Sequence, residues 1–269
     1  MSTGDSEARP RMPRGGRERR GMLARCRTGG RGLLSWVFAN ACMLCDAPVE
    51  PDAGVPGFET AAGSPVCIAC LRDLPALPPA CPVCAAPSPA GTVCGACIAH
   101  PPRFDRTIAV WRYTFPLDRL VLALKFHAGF SLAPFFARRL ADRCRGACAT
   151  DAPDLLIPMP LHRARLAERG FNQSVQIGRP LAGLLGLGLK TGGVTRARPT
   201  VPQTELDPRD RRRNVRGAFA CDLDLSGRRV AVVDDVMNTG ATLDEMARVL
   251  KAAGAAGVMN LVVARAYPD

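Results

Sequence analysis

Two adjacent carboxylates, Asp234 and Asp235, directly follow a short apolar run at residues 230–233. The run is dominated by valine, which predicts a buried parallel strand. Neighbouring carboxylates repel each other, so their position needs a chemical reason. Ionised carboxylates accept hydrogen bonds from the hydroxyls of a diol. The pair therefore indicates a ligand that carries adjacent hydroxyl groups.

The residues after the carboxylates are small, so an anion could lie directly against backbone N–H groups. They are Asn238, Thr239, Gly240, Ala241 and Thr242. A helix is predicted next, because apolar residues recur at i, i+3, i+4 and i+7 from residue 243, and Thr242 and Glu245 have capping-box spacing. A phosphate at that helix start would meet unpaired N–H donors and the positive end of the helix dipole. Carboxylates, loop and helix together predict a ribose 5-phosphate pocket; the alternative is an ordinary strand-to-helix turn with solvated aspartates.

Cysteine gives the second strong pattern, since eight of the twelve cysteines form four Cys-x-x-Cys pairs. These are Cys42/Cys45, Cys67/Cys70, Cys81/Cys84 and Cys94/Cys97. Two such pairs close a tetrahedral Zn²⁺ site, so two structural zincs are predicted, paired either in chain order or in a crossed arrangement. Disulfides would need an oxidising compartment, which nothing in the sequence indicates. A redox site would need one such motif on an α/β frame rather than four between proline-rich loops.

The chain changes character after residues 100–102, where strands and helices begin to alternate. Strands are predicted at 107–114 and 155–157, and helices at 116–127, 132–145 and 173–187, the last with Asn172 as N-cap. Alternating strands and helices indicate an α/β fold with a parallel sheet. We therefore expect three segments: a basic arm at 1–31, a double zinc ribbon at 32–102 and an α/β domain at 103–269.

Two further loops carry chemistry suited to an anion. The first follows the strand at 155–157 and consists of Pro158, Met159, Pro160, Leu161 and His162. Prolines stiffen it where α/β folds place ligands, and Arg163, Arg165 and Arg169 behind it would attract a phosphate group. The second, at 196–219, is polar and rich in arginine, which fits either a hood over an anionic substrate or a solvated basic loop.

The formal net charge of +12 is unevenly distributed, because residues 1–31 contain nine arginines and three acidic residues. Such a segment is too poor in apolar residues to fold alone, and it could bind nucleic acid. The alternatives are a disordered tail or a gene start placed too early, with initiation at Met22. The apolar run at 32–42 is too short to span a bilayer and too late for a signal peptide, so no membrane insertion and a cytoplasmic location are expected.

In order and spacing these segments resemble the ComF phosphoribosyltransferase-like proteins. The resemblance rests on the four Cys pairs, LKFHAG at 124–129, PMPLHRARLAERGFNQ at 158–173, the pattern of Arg196, Thr200, Gln203 and Leu206, RRNVRGAF at 212–219 and VVDDVMNTGAT at 232–242. It implies an α/β, type I phosphoribosyltransferase-like parallel sheet flanked by helices, preceded by the zinc-ribbon module. The arm at 1–31 lies outside it.

The resemblance implies binding of phosphoribosyl diphosphate (PRPP) with Mg²⁺ and transfer of the phosphoribosyl group to an unidentified nitrogen acceptor. Asp234 and Asp235 would hold the ribose hydroxyls, and residues 238–242 the 5′-phosphate. Arg165, Arg169 and Lys125 would neutralise the leaving pyrophosphate, which the loop at 158–165 would bind. The implied flexible loop carries Arg198, Thr200, Gln203 and Asn214.

Other functions consistent with the resemblance are single-stranded DNA binding beside a competence helicase and PRPP sensing without turnover. Type I relatives often dimerise, so a homodimer is also implied. Against the DNA-binding alternative stands the scarcity of aromatic residues that could stack on bases: ten Phe, two Trp and two Tyr in the whole chain.

Overall fold

The structure is a computed structural model, and it describes residues 41–49, 64–126, 131–147, 152–198 and 215–267. Predictions for the basic arm, the run at 32–40 and the flexible-loop residues Thr200, Gln203 and Asn214 lie outside these residues. Residues 40–269 form one compact unit that contains both the cysteine pairs and the sheet.

The centre of this unit is a parallel sheet of five strands in the order β1-β7-β6-β2-β3. A separate antiparallel pair consists of β4 and β5, which precede and follow the arginine-rich loop in the sequence. The strands are β1 (Arg106–Arg112), β2 (Leu155–Pro158), β3 (Gly188–Leu189), β4 (Val194–Arg196), β5 (Phe219–Cys221), β6 (Arg229–Met237) and β7 (Gly257–Arg265).

Helices cover both faces of the sheet, which explains the continuous apolar run at the start of β6. Ala231 and Val233 join the core on one face, and Val230 and Val232 join the core on the other. The helices are α1 (Ile68–Arg72), α2 (Gly95–Ala99), α3 (Leu117–Phe126), α4 (Leu132–Ala147), α5 (Arg163–Arg169), α6 (Gln173–Leu185) and α7 (Ala241–Ala252). The first core includes buried residues of α3, α4 and α6, and the second includes those of α7. Burial on both faces is the usual state of a parallel sheet.

The predicted α/β class, its central strand and its main helices are confirmed, and Asn172 caps α6 by accepting a hydrogen bond from the Ser174 N–H. The capping box is wrong. Helix α7 begins at Ala241 with Gly240 as its N-cap, so Thr242 lies within the helix and not at the cap position. Glu245 instead accepts hydrogen bonds from the Gly217 N–H and from Arg248. Tertiary partners have replaced the local cap that the spacing predicted.

The zinc-ribbon region covers the outer edge of the sheet. Two prolines, one before and one within the third cysteine pair, accept hydrogen bonds from β1: the Arg112 N–H donates to Pro75 O at 2.9 Å, and the Thr107 N–H donates to Pro82 O at 3.2 Å. An exposed edge strand would otherwise present unpaired backbone groups to other chains. In the described part of the chain, no helix has the length and apolar character needed to cross a membrane.

Candidate functional site

The carboxylate pair and the proline loop meet at the carboxyl ends of β6 and β2. The two strands are in register with Pro158 opposite Val233, and the Met159 N–H donates to Val233 O at 2.9 Å. Asn172 fixes the loop from the other side, since its Nδ2 donates to Met159 O at 3.0 Å. The loop therefore lies beside the carboxylates at the sheet edge where α/β proteins bind their ligands.

The structure gives the two carboxylates different partners. Asp234 Oδ1 accepts hydrogen bonds from Ser174 Oγ and from the Asp235 N–H, both at 2.9 Å. Asp235 Oδ2 forms an ion pair with Lys125 Nζ at 2.5 Å, and both side chains are largely buried. Asp234 remains partly accessible. One carboxylate is thus held by a cation, while the other faces the crevice.

These surroundings move the two pKa values in opposite directions. Burial and the neighbouring Asp235 charge raise the pKa of Asp234 to about 8. Burial also acts to raise the pKa of Asp235, but the Lys125 charge and hydrogen bond outweigh it and lower that pKa. Burial acts to lower the pKa of Lys125, and the Asp235 charge overcomes it and raises that pKa. The pair therefore favours an ionised Asp235 beside Lys125, and Asp234 is the carboxyl that holds a proton more tightly.

Ligand binding at this site should therefore depend on pH. An Asp234 that must accept hydrogen bonds from a diol has to lose its proton, so affinity should rise as pH increases through about 8. Below that pKa we expect a change approaching about tenfold per pH unit, the equivalent of about 1.4 kcal/mol. Calorimetric titration from pH 6.5 to 9 measures it, with proton uptake by the buffer as a second signal. Asp234→Asn should flatten the profile, and an unchanged slope in that variant would assign the proton to another group.

The small-residue loop leads directly into α7. Gly240 has a left-handed backbone with φ of 82°, and the Thr239 Oγ1 accepts a hydrogen bond from the Ala241 N–H at 3.4 Å. A Cβ at Gly240 would lie 2.7 Å from Met237 Cε, and Met237 is buried. The left-handed backbone thus favours glycine at this position, and a Cβ would in addition force the end of the Met237 side chain to shift.

We expect Gly240→Ala to weaken binding of a phosphorylated ligand by about tenfold or more, because the left-handed conformation and the Met237 contact would both resist a Cβ. The measurement is ligand affinity together with thermal unfolding. Gly183→Ala on α6, where a Cβ meets nothing within 4 Å, is the matched control. Equal affinities of the two variants would contradict a close backbone approach at Gly240.

Basic side chains surround the crevice. Arg169 Nη1 donates to Gln173 Oε1 at 2.6 Å, and its guanidinium lies 5.2 Å from the centre of the Phe126 ring. Burial lowers the pKa of Arg169, and the Asp235 charge opposes that shift. Arg165 is near enough to act electrostatically on Arg169. Of the predicted cationic residues, Lys125 therefore contacts the carboxylate pair, Arg169 is near enough to interact with Asp235, and Arg165 lies near Arg169.

Three residues of this neighbourhood were not predicted as site residues: Ser174, Gln173 and Arg196. The first two begin α6 and bond to the predicted side chains of Asp234 and Arg169. Arg196 on β4 is partly buried, which lowers its pKa, and the Asp234 charge opposes the shift. Arg196 belonged to a motif that the sequence already singled out, so its position in that motif was the available signal.

Two residues of the predicted loops, His162 and Arg198, make contacts with the backbone of their own surroundings. His162 is the N-cap of α5, because its Nδ1 accepts a hydrogen bond from the Ala164 N–H at 3.3 Å. Arg198 Nη1 donates to Arg216 O at 3.1 Å and so joins the two described ends of the arginine-rich loop. The structure does not place Arg198 against the carboxylate pair.

A cleft of about 650 Å³ adjoins the proline loop and lies between α5, α6 and β4. Its polar lining includes His162, Arg163, Arg179 and Arg196, and none of its described lining residues is acidic. An anion entering here would meet positive charge without a competing carboxylate.

The cysteines form two clusters, and in each the four Sγ atoms lie within 4.8 Å of one another. The first joins Cys42, Cys45, Cys67 and Cys70, and the second joins Cys81, Cys84, Cys94 and Cys97. The pairs therefore close in chain order, and the crossed arrangement is excluded. Burial acts to raise the pKa of Cys42 and of Cys81, but backbone N–H donors outweigh it and lower each to about 7. Four converging Sγ atoms fit a closed structural zinc site.

Two protein-family models match separate parts of the chain. A double zinc ribbon domain matches residues 33–98, and a phosphoribosyl transferase domain matches residues 187–267. The chain is 36% identical over 197 residues to DNA utilization protein YhgH of Salmonella typhimurium, covering 72% of this chain and 87% of that protein. It is 33% identical over 179 residues to Competence protein F of Haemophilus influenzae, covering 64% of this chain and 78% of that protein.

Solved structures give more distant matches. Glutamine PRPP amidotransferase from B. subtilis has a TM-score of 0.36 and 19% identity over 52% of this chain and 30% of that one. Adenine phosphoribosyltransferase from Leishmania tarentolae has a TM-score of 0.30 and 19% identity over 47% of this chain and 55% of that one.

Proposed function

The chain belongs to the ComF family, together with the YhgH proteins and Competence protein F, and on that premise we propose that it binds PRPP with Mg²⁺ and transfers the phosphoribosyl group to a nitrogen acceptor. The observation that carries the proposal is the carboxylate pair at the end of β6, followed at once by the glycine-containing start of α7. This arrangement supports the proposal because ribose 5-phosphate needs acceptors for its diol close to backbone donors for its phosphate.

The crevice residues have separate roles in binding. Asp234, partly accessible, accepts hydrogen bonds from a ribose hydroxyl, and Ser174 orients it. Asp235 is held by Lys125 in the free protein and becomes available to the second hydroxyl when Lys125 turns toward the diphosphate. The backbone at 238–241 and the Thr239 hydroxyl contact the 5′-phosphate. The ligand is thus fixed at both ends of its ribose.

The reaction breaks the bond between C1′ and the pyrophosphate oxygen and forms a bond from C1′ to the acceptor nitrogen. The bonding electrons leave with pyrophosphate, so cations near the proline loop promote the step. Arg165, Arg169 and Lys125 supply that positive charge, and Gln173 holds Arg169 in position. Bound Mg²⁺ would neutralise further charge on the diphosphate.

Pyrophosphate release tests the catalytic part of this proposal. The zinc-loaded protein is incubated with PRPP, Mg²⁺ and a panel of nucleobases and amines. Release that depends on one acceptor supports transfer. Saturable PRPP binding without release for any acceptor would replace transfer by sensing, and Asp234→Asn serves as the inactive reference.

We also propose a link to DNA, since the relatives are named for DNA utilization and competence. The net charge of +12 and the cleft lined by arginine and histidine favour an anionic polymer as partner. Affinity for single-stranded DNA should then fall steeply with salt, because phosphate contacts release counterions. Titrations of a labelled oligonucleotide between 50 and 200 mM salt measure this, and binding that is absent or insensitive to salt would contradict it.

A further inference from the structure

Arg265, at the end of β7, bonds to both the second cysteine cluster and the small-residue loop. Its Nε donates to Cys84 O at 2.8 Å, and its Nη1 donates to Met237 O at 3.1 Å. The same Nη1 also donates to the carbonyl oxygens of Asn238 and Ala266. One guanidinium therefore joins the backbone of a zinc-ligand residue to the backbone that enters the proposed phosphate-binding loop.

The charge of this buried guanidinium needs a counter-charge. Arg265 is 7% exposed, and no carboxylate of the described residues forms an ion pair with it. Among its hydrogen-bond partners, Cys84 is a member of the second cysteine cluster. Zn²⁺ held by four thiolates has a net negative charge, so the loaded second cluster would supply what Arg265 lacks. The first cluster has no described contact with Arg265.

Two other contacts join the same regions. The Arg103 N–H donates to Asp244 Oδ1 at 2.6 Å, which ties the end of the zinc ribbon to the first turn of α7. Phe104 lies 3.8 Å from the position that a Cβ at Gly240 would occupy. The second cluster and the loop also share the walls of a cavity of about 300 Å³ that Arg265 lines. The loop therefore lies next to the second cysteine cluster.

We propose that Arg265 is a positioning residue that makes the geometry of the loop at 238–241 depend on zinc in the second cysteine cluster. With zinc bound, the guanidinium is held between the second cysteine cluster and the loop, and it fixes the carbonyls of Met237 and Asn238. Without zinc, the Cys84 carbonyl is no longer held in position and the counter-charge is absent. The ligand role of the loop rests on the proposed function, but its dependence on Arg265 does not.

Backbone hydrogen exchange of the ligand-free, zinc-loaded protein tests this directly. Arg265→Met should speed exchange at 238–241 by about tenfold or more, while amides at 230–233, in the strand β6 that precedes this loop, change by less than about twofold. Arg145→Met is the matched control, since Arg145 also donates to a backbone carbonyl, that of Leu184, on the exposed side of α4. Unchanged exchange at 238–241 in Arg265→Met would overturn the proposal.

A second pair of variants separates the two zinc sites. Cys94→Ser should lose the second zinc and speed exchange at 238–241, whereas Cys67→Ser should lose the first zinc and leave those amides unchanged. Equal effects of the two variants would overturn the specific role of the second cluster. If Arg265→Met also speeds exchange at 230–233, Arg265→Lys is the deciding variant, because lysine keeps the positive charge but lacks the several N–H donors of the guanidinium. Faster exchange confined to 238–241 in Arg265→Lys supports the proposal. Unchanged exchange at 238–241 overturns it.

PRPP affinity provides a separate measurement. A loop that exchanges faster in Arg265→Met should bind PRPP with Mg²⁺ about tenfold more weakly than the wild type does. If wild-type protein binds no PRPP, the proposed function fails, and the exchange results still decide whether Arg265 positions the loop. The two failures are therefore distinguishable.

Discussion

Asp234→Asn/Asp235→Asn should lower the affinity for PRPP with Mg²⁺ by about 100-fold or more. Each carboxylate is expected to accept a charge-assisted hydrogen bond worth about 1.5–3 kcal/mol, and two such losses together give that factor. Asparagine keeps the shape of aspartate and removes its charge. Equilibrium dialysis with labelled PRPP measures the change. The control for net charge is Asp142→Asn/Asp222→Asn, which removes one exposed carboxylate on α4 and one directly after β5.

The double variant has a side effect that the structure predicts. Lys125 loses its partner and remains largely buried, so the fold should lose stability as well as affinity. Asp234→Asn alone keeps the ion pair of Lys125 and Asp235. It should still weaken PRPP binding by about tenfold or more, with little change in thermal unfolding. Full affinity in this single variant would contradict the assignment of Asp234 to the ribose hydroxyls.

The second large effect concerns zinc. The protein should contain two zinc ions per chain, and Cys94→Ser/Cys97→Ser should reduce this number to one. The variant should also lower the free energy of unfolding by several kcal/mol, on the order of a third of the roughly 10–16 kcal/mol that zinc contributes in isolated finger peptides. The reason is local: the second cluster bonds through Cys84 to Arg265, and the stretch before it covers the edge of β1. Metal analysis and thermal unfolding are the measurements.

Cys221→Ser is the control for this experiment, because Cys221 lies on β5 outside both clusters. It should keep both zincs and unfold at nearly the wild-type temperature. Addition of a strong chelator to wild-type protein should reproduce the loss of stability. If Cys94→Ser/Cys97→Ser retained two zincs, the assignment of the second cluster would be wrong.

Local patterns were enough to predict the zinc ligands and the strand that leads to the carboxylate pair. Four Cys-x-x-Cys pairs define their own ligand sets, and a valine run before Asp234 indicates a buried strand whatever surrounds it. Sequence spacing alone could not decide whether the cysteine pairs close in chain order or in a crossed arrangement, because that depends on the path of the chain in the fold. The structure resolves it because each cluster is closed by consecutive pairs.

The features that the sequence did not indicate all depend on contacts between distant residues. Lys125 was expected to bind pyrophosphate, and nothing local places it 2.5 Å from Asp235. Glu245 had the spacing of a cap, but in the folded chain it accepts the Gly217 N–H, which no local pattern includes. Arg265 belongs to an apolar terminal strand, and only the fold brings its guanidinium to Cys84. In all three cases, contacts between residues distant in sequence determine what the side chain binds.

Calorimetric titration of the zinc-loaded protein with PRPP in the presence of Mg²⁺ tests the central claim most directly. The pocket at the end of β6 predicts saturable binding of one PRPP per chain, accompanied by proton release that grows as pH falls below about 8. A flat titration of a protein that retains both zincs would contradict a PRPP site in this chain.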